Sequence, residues 1–179
     1  MDTRQPAANP ASHPLTHPTG LSDEALLLQC RFERSRSSGP GGQHRNKVET
    51  HVTLTHLPTG AAAQAGERRS QGDNKRVALT RLRLVLALEV RTGPATTVSP
   101  LWRGRLKGSR IQCNEAHRDF ATLLAEALDA IKAGDYEPRA AAEFLACSAS
   151  QLIKLVKKHP PAFDRWNTER AAAGLHPLK

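Results

Sequence analysis

The sequence has few aromatic side chains: two Trp, one Tyr and four Phe make up 4% of 179 residues. Stacking platforms for unpaired bases are therefore scarce. Cysteine is also sparse. Cys30, Cys113 and Cys147 lie far apart, are odd in number and form no C-x-x-C. That pattern excludes a disulfide framework and a Cys/His zinc site, so no metal and no cofactor are expected. Three reduced thiols fit a cytosolic protein. No run of about 18 apolar residues occurs and no basic segment leads into an apolar one, which argues against a membrane span or a secretory signal. Acidic residues are outnumbered, 17 against 26 Lys and Arg, giving a formal net charge of +9 and a pI of about 10.1. A balance this basic points to a polyanionic partner, most often nucleic acid.

What the chain does contain is uneven along its length. Residues 1–20 (MDTRQPAANPASHPLTHPTG) are rich in Pro, Ala, Thr and His without apolar periodicity and read as a disordered segment. Ser22 and Asp23 can cap a short helix carrying Leu26, Leu27 and Leu28. CRFERS (30–35) alternates Cys30 and Phe32 against Arg31 and Glu33, the pattern of a short strand. Val48, Thr50, Val52 and Leu54 alternate with Glu49, His51, Thr53 and Thr55, a second half-buried strand. HLPTG (56–60) then makes a turn. The return segment AAAQAGE has weak strand propensity and is read as a strand because a hairpin needs a second arm.

Ser70 can cap a helix with Asp73 three residues on, and Ala78, Leu79, Leu82, Val85, Leu86 and Val90 fall on one stripe at helical spacing. Residues 21–91 therefore read as a small α+β module, a short β-sheet covered by a helix. Residues 92–112, rich in Gly, Pro, Ser and basic side chains, read as a linker. Residues 113–179 read as a small all-α module. Its first helix runs from roughly Asn114 to Ala133 and stops at Gly134, PRAAAEFL forms a second with Pro138 at its first position, and Ser148 caps a third ended by Pro160-Pro161. AFDRWNTERAAAG makes a fourth, terminated by Gly174.

Between the first two strands stands SSGPGGQHRNK (37–47). Two adjacent glycines lose much freedom on folding, so such a pair is used where backbone angles closed to other residues are needed. Taken alone the pair is a turn signal. Here it belongs to a longer string: RSSGPGGQHRNK, then THLPTG, then ERRSQGDNK. Over about residues 31 to 90 this string resembles the catalytic domain of class I peptide chain release factors and of the related ribosome-rescue peptidyl-tRNA hydrolases.

That resemblance implies an α+β domain that brings its GGQ loop to the peptidyl-transferase centre of the large ribosomal subunit and hydrolyses the ester joining peptide to tRNA. Gly41, Gly42 and Gln43 would be the catalytic tripeptide. The glycines would allow angles forbidden to residues with a Cβ. The Gln43 N–H would face the developing oxyanion, an interaction whose loss typically costs about 2.7–4 kcal/mol. The Gln43 side chain would orient the water. No side-chain base is needed; His44 reads as an RNA contact. Arg36, Arg45, Lys47, Arg68, Arg69, Lys75 and Arg76 are candidate phosphate contacts around the loop and helix start, with the solvated basic face as the bland alternative. Asn46, Gln71 and Asn74 read as structural or RNA-positioning.

The departures from the family's pattern are equally informative. No segment matches a codon-reading domain, so the expectation is codon-independent release or ribosome rescue. The chain ends LHPLK, without the Lys/Arg-rich tail found in many rescue members. The expected partners are the large-subunit ribosomal RNA and peptidyl-tRNA, with no membrane, and the protein is expected to be a cytoplasmic monomer.

PRAAAEFLACSASQLIKLVKK reads as a helix-turn-helix. Ala142, Leu145, Leu152, Ile153 and Val156 would be core, and Gln151, Lys154, Lys157 and Lys158 would face solvent or a nucleic-acid backbone. Ala146 falls where a turn glycine is usual, at a cost of roughly 1–2 kcal/mol if left-handed. Trp102 and Trp166 read as core anchors. Two other readings stay open: a non-catalytic ribosome- or RNA-binding adaptor, and a helix-turn-helix DNA-binding regulator.

Overall fold

The computed structural model describes residues 17–36, 50–93 and 96–179. The Ser22 hydroxyl accepts from the Ala25 N–H at 3.1 Å and starts α1 (Asp23–Leu28). An antiparallel sheet follows in the order β1 (Cys30–Ser35), β2 (His51–His56), β3 (Ala62–Ala65). On β2 the period of two is fully expressed: Val52, Leu54 and His56 are buried while His51, Thr53 and Thr55 are half-buried. Gly60 closes the β2–β3 turn at φ +75°, an angle that suits a residue without a Cβ. The weak strand former β3 does pair. Its small alanines let a helix lie close: α2 (Gln71–Glu89) packs across β2 and β3.

Helix α2 begins as expected. The Ser70 hydroxyl accepts from the Asp73 N–H at 3.0 Å and donates to the Asp73 carboxylate at 2.6 Å. Ala78, Leu79, Leu82 and Leu86 are buried with Leu26, Val52 and Leu54 in one apolar cluster, and Val85 and Val90 flank it. Each fully buried Leu or Val among them contributes about 1.5–3 kcal/mol of burial free energy. Phe32 departs from the expected pattern and is 42% exposed. It stands on the edge strand β1, while α2 covers β2 and β3.

A second departure is Arg83, buried on α2 in the midst of leucines. A buried guanidinium needs acceptors. Arg83 donates to the Thr19 carbonyl at 2.5 Å, to the Leu21 carbonyl at 2.8 Å and to Asp23 Oδ1 at 2.7 Å. Those bonds draw in residues 17–20, which fall in the segment expected to be disordered. Pro18–Gly20 forms a 3-10 turn with Thr19 buried, and the Thr122 hydroxyl donates to the Thr19 carbonyl at 2.8 Å. Residues 1–16 lie outside the described residues.

The stretch 92–112, expected as a linker, contains α3 (Pro100–Arg105) and the hairpin β4 (Leu106–Lys107), β5 (Arg110–Ile111). Trp102 explains this order. Its ring is fully buried and its Nε1–H donates to the Leu145 carbonyl at 2.8 Å. Glu126 adds a second tie by accepting from the Ser99 N–H at 2.7 Å and the Ser99 hydroxyl at 2.6 Å.

The second apolar cluster gathers Trp102, Trp166, α4 (Phe120–Ala133), α5 (Pro138–Phe144), α6 (Ala149–Lys157) and α7 (Pro160–Ala172). Helix α4 starts later than expected because Asn114 Oδ1 caps a turn at the Ala116 N–H and Asp119 pairs with Arg105 at 2.5 Å. It ends at Gly134, but Gly134 is not the left-handed residue. Asp135 (φ 51°) and Tyr136 (φ 63°) are, whereas a Cβ on Gly134 would lie 3.1 Å from the Ala141 nitrogen. Glycine serves here for close approach of α5.

Ala146 is left-handed, φ 52°, as the helix-turn-helix pattern requires. Leu155 is buried where Ile153 was expected, and Ile153 is half-buried. Pro160 and Pro161, read as the stop of α6, also occupy the first turn of α7. Both tryptophans are core anchors. The molecule is thus an α+β sheet-and-helix layer followed by helices, and α2 also packs against α4. Among the described residues no helix is long and apolar enough to cross a membrane.

Candidate ribosomal RNA and catalytic-loop site

Gly41, Gly42, Gln43, His44, Arg45, Asn46 and Lys47 lie outside the described residues. What the structure does show is the frame from which their segment departs and to which it returns. Ser35 and His51 face each other at one end of the β1–β2 ladder. The Ser35 hydroxyl and His51 Nδ1 are 3.1 Å apart, closing that end. A Cβ on Gly66 would sit 2.6 Å from His51 Cδ2, so the imidazole rests on the backbone just past β3 and only glycine leaves it room.

Asn74 fixes the other root. It is fully buried, and its Nδ2 donates to the Thr50 carbonyl at 2.6 Å and to the Arg68 carbonyl at 3.0 Å. Its Oδ1 accepts from the Arg68 N–H at 2.8 Å. One amide thereby binds the residue before β2, the segment after β3 and the first turn of α2. A buried carboxamide with both ends satisfied rigidifies what it touches.

Of the expected cations around the loop, the described residues include Arg36, Arg68, Arg69, Lys75 and Arg76. Arg68 and Arg69 are exposed on the segment leading to α2. Lys75 Nζ stands 5.6 Å from the centroid of the exposed Phe32 ring, a cation–π contact across to β1. Arg76 is exposed and pairs with Asp73. The Ser70 hydroxyl, followed by Arg76, holds the Asp73 carboxyl below its usual range. Glu67 is lowered too, by its own N–H and that of Gly66 and by Arg81, which lies 2.7 Å from its Oε1. Arg36 follows β1 directly and is exposed. Gln71 opens α2 and is half-buried.

The lysines of the helical region stand elsewhere, on and just past α6. Lys154 is exposed. Lys157 lies 5.0 Å from the Phe163 ring centroid, and the half-buried Lys158 donates from Nζ to the Cys113 carbonyl. His51 and Gly66 escaped sequence reading. His51 lies on the half-buried face of its strand, where nothing in the pattern distinguishes it from Thr53. Gly66 reads as any strand-ending glycine.

A frame of this kind fixes the chain on either side of residues 37–49. Among the described residues no group of three His, Cys, Asp or Glu could hold a metal ion.

Comparison with known proteins bears on the same stretch. The RF-1 domain family model matches residues 28–99. Peptide chain release factor 1 of Mesoplasma florum is 51% identical over 53 residues, 30% of this chain and 15% of that protein. The chloroplastic peptide chain release factor PrfB1 of Arabidopsis thaliana is 45% identical over 86 residues, 45% of this chain and 19% of that protein. Peptide chain release factor 1 of Methylibium petroleiphilum is 36% identical over 136 residues, 70% of this chain and 37% of that protein. The matches thus span between 15% and 37% of these relatives' own length. Across residues 28–99, the chain carries an RF-1 domain of the class I peptide chain release factor family.

Proposed function

We propose that this protein hydrolyses the peptidyl-tRNA ester in the peptidyl-transferase centre of the large ribosomal subunit, independently of a stop codon, as a cytosolic ribosome-rescue factor. The observation that carries this reading is the GGQ tripeptide inside the RF-1 domain at residues 28–99. The frame at the loop's roots supports it, because a loop that must deliver a main-chain amide to a carbonyl needs fixed ends.

In the reaction the oxygen of water attacks the ester carbonyl and an oxyanion develops. The bond to the tRNA ribose oxygen then breaks. That oxygen leaves with a proton, and the peptide is released as a carboxylic acid. The Gln43 N–H stabilises the oxyanion, with Gly41 and Gly42 permitting the backbone angles that aim it. The Gln43 side chain orients the water. Arg36, Arg45, Lys47, Arg68, Arg69, Lys75 and Arg76 hold ribosomal RNA phosphates, and Lys154, Lys157 and Lys158 add contacts from the helical region. The protein acts as a monomer. Residues 21–91 act as the hydrolase unit and 113–179 as the unit that positions it.

The test is peptide release from ribosomes loaded with peptidyl-tRNA and lacking a stop codon. Wild-type protein releases peptide, while Gly41→Ala and Gln43→Pro, the latter removing the amide hydrogen, do not. A wild type without release, or variants equal to it, defeats the reading.

A further inference from the structure

Among the described residues some surface cations are ion-paired, and others, Arg68, Arg69, Arg118, Lys132 and Arg139 among them, are not. Arg76, Arg81 and Arg165 each have a carboxylate within 4.0 Å, from Asp73, Glu67 and Glu169 respectively. Arg103, Lys107, Arg110 and Lys154 are all exposed and, among the described residues, none of the four forms an ion pair. Surface arginines without a carboxylate partner keep their full charge for an external anion.

These four belong to connected pieces. Arg103 is in the last turn of α3, which runs directly into β4. Lys107 and Arg110 flank the hairpin turn, whose Gly108 has φ 59°. The hairpin is tied to α6: the Ser148 N–H donates to the Ser109 carbonyl at 3.1 Å, and β5 packs on α6. Ser148 is also the cap of α6, its hydroxyl accepting from the Gln151 N–H at 3.3 Å. Between the exit of β5 and α6 lies a hollow of about 190 Å³. Gln112, Gln151, Lys154 and Lys158 provide its polar lining, and no carboxylate borders it. Lys158 is held there by its bond to the Cys113 carbonyl.

We infer that the hairpin Leu106–Ile111 and α6 form one docking surface for the phosphate backbone of structured RNA. Arg103, Lys107, Arg110 and Lys154 are its phosphate contacts, and the hollow beside Gln112 and Lys154 seats one phosphate. Charge without carboxylates is what a phosphate backbone requires. The exposed face of α6 carries Ser150, Lys154 and Lys157, which suit phosphates. The choice of RNA over DNA rests on the proposed ribosomal function, while the surface itself does not involve the GGQ loop.

The experiment titrates full-length protein against large ribosomal subunits, an RNA duplex and a DNA duplex of the same sequence, at several salt concentrations. The Arg110→Glu/Lys154→Glu variant binds subunits and RNA at least about tenfold more weakly, and its log–log salt slope falls by about two. Arg110→Gln/Lys154→Gln, which removes charge without adding any, moves in the same direction by less. Circular dichroism melts matching the wild type establish that both variants fold. Wild-type affinity in either pair, or tighter wild-type binding to DNA than to RNA, overturns the inference. Absence of peptide release by the wild type would sink the hydrolase reading while leaving this binding result standing.

Discussion

Asn74 concentrates three hydrogen bonds in one buried amide, so its removal strands more than itself. Asn74→Ala leaves the Thr50 and Arg68 carbonyls and the Arg68 N–H without their partner. A stranded buried group costs about 1–3 kcal/mol. Urea unfolding of Asn74→Ala is expected to show a loss in the upper part of that range, and an unchanged midpoint would show that the amide does not anchor the frame. Gly66→Ala is expected to act differently. The new Cβ drives the His51 ring off its seat and breaks its contact with Ser35. The imidazole resonances of His51 should shift while global stability changes little, since a side chain and not backbone yields; unshifted resonances would refute the packing argument. Of these two residues only Asn74 could be singled out in the sequence. It stands out as a polar residue in the first turn of a patterned helix, whereas the role of Gly66 depends on a ring brought from another strand.

At the scale of elements, Ala146 was readable because two helices separated by three residues require a left-handed position, and its φ of 52° meets that demand. Ala146→Gly is therefore expected to stabilise the protein by about 1 kcal/mol, read as a higher melting temperature. A lower one would mean that the turn needs the methyl group. Tyr136, at φ 63°, was not readable, since Gly134 two residues earlier offered itself as the terminator. The backbone there is held by its carbonyl, which accepts from Trp166 Nε1 at 3.0 Å and Arg170 Nη1 at 2.6 Å, partners in the middle and last turn of α7. The same limit explains residues 17–20 and 92–112. Their order comes from Arg83 and Trp102, single residues whose buried polar groups recruit distant carbonyls, and composition averages over a segment hide such residues. The period of β2 and the stripe of α2 were legible because each repeats over many positions.

For the whole molecule, the buried histidines make stability depend on pH. His17, His56 and His159 are each pushed below the ordinary 6.5 by desolvation. His56 is held neutral between Gln29 Oε1, 2.9 Å from its Nε2, and the Thr59 hydroxyl, 2.7 Å from its Nδ1. His17 is likewise tied through Nε2 to the Val90 carbonyl at 3.2 Å. A lowered folded pKa means that the unfolded chain takes up protons first. The stabilisation is complete above pH 6.5 and is lost as pH falls from there through the folded values. Unfolding free energy is expected to be level from pH 8 to 7 and to decline between about pH 6.5 and 5, before the lowered carboxyls of Asp73 and Glu67 contribute. A flat profile to pH 5 would contradict neutral burial.

At this scale the proposed function reduces to one claim: a main-chain amide in the GGQ loop stabilises the oxyanion of peptidyl-tRNA ester hydrolysis. The most direct measurement is the single-turnover hydrolysis rate on peptidyl-tRNA-loaded large subunits at saturating protein, with binding measured separately. Gly42→Ala should bind like the wild type and hydrolyse about 100- to 1,000-fold more slowly, the loss expected for one misplaced oxyanion donor. A Gly42→Ala rate equal to the wild type's would contradict the account.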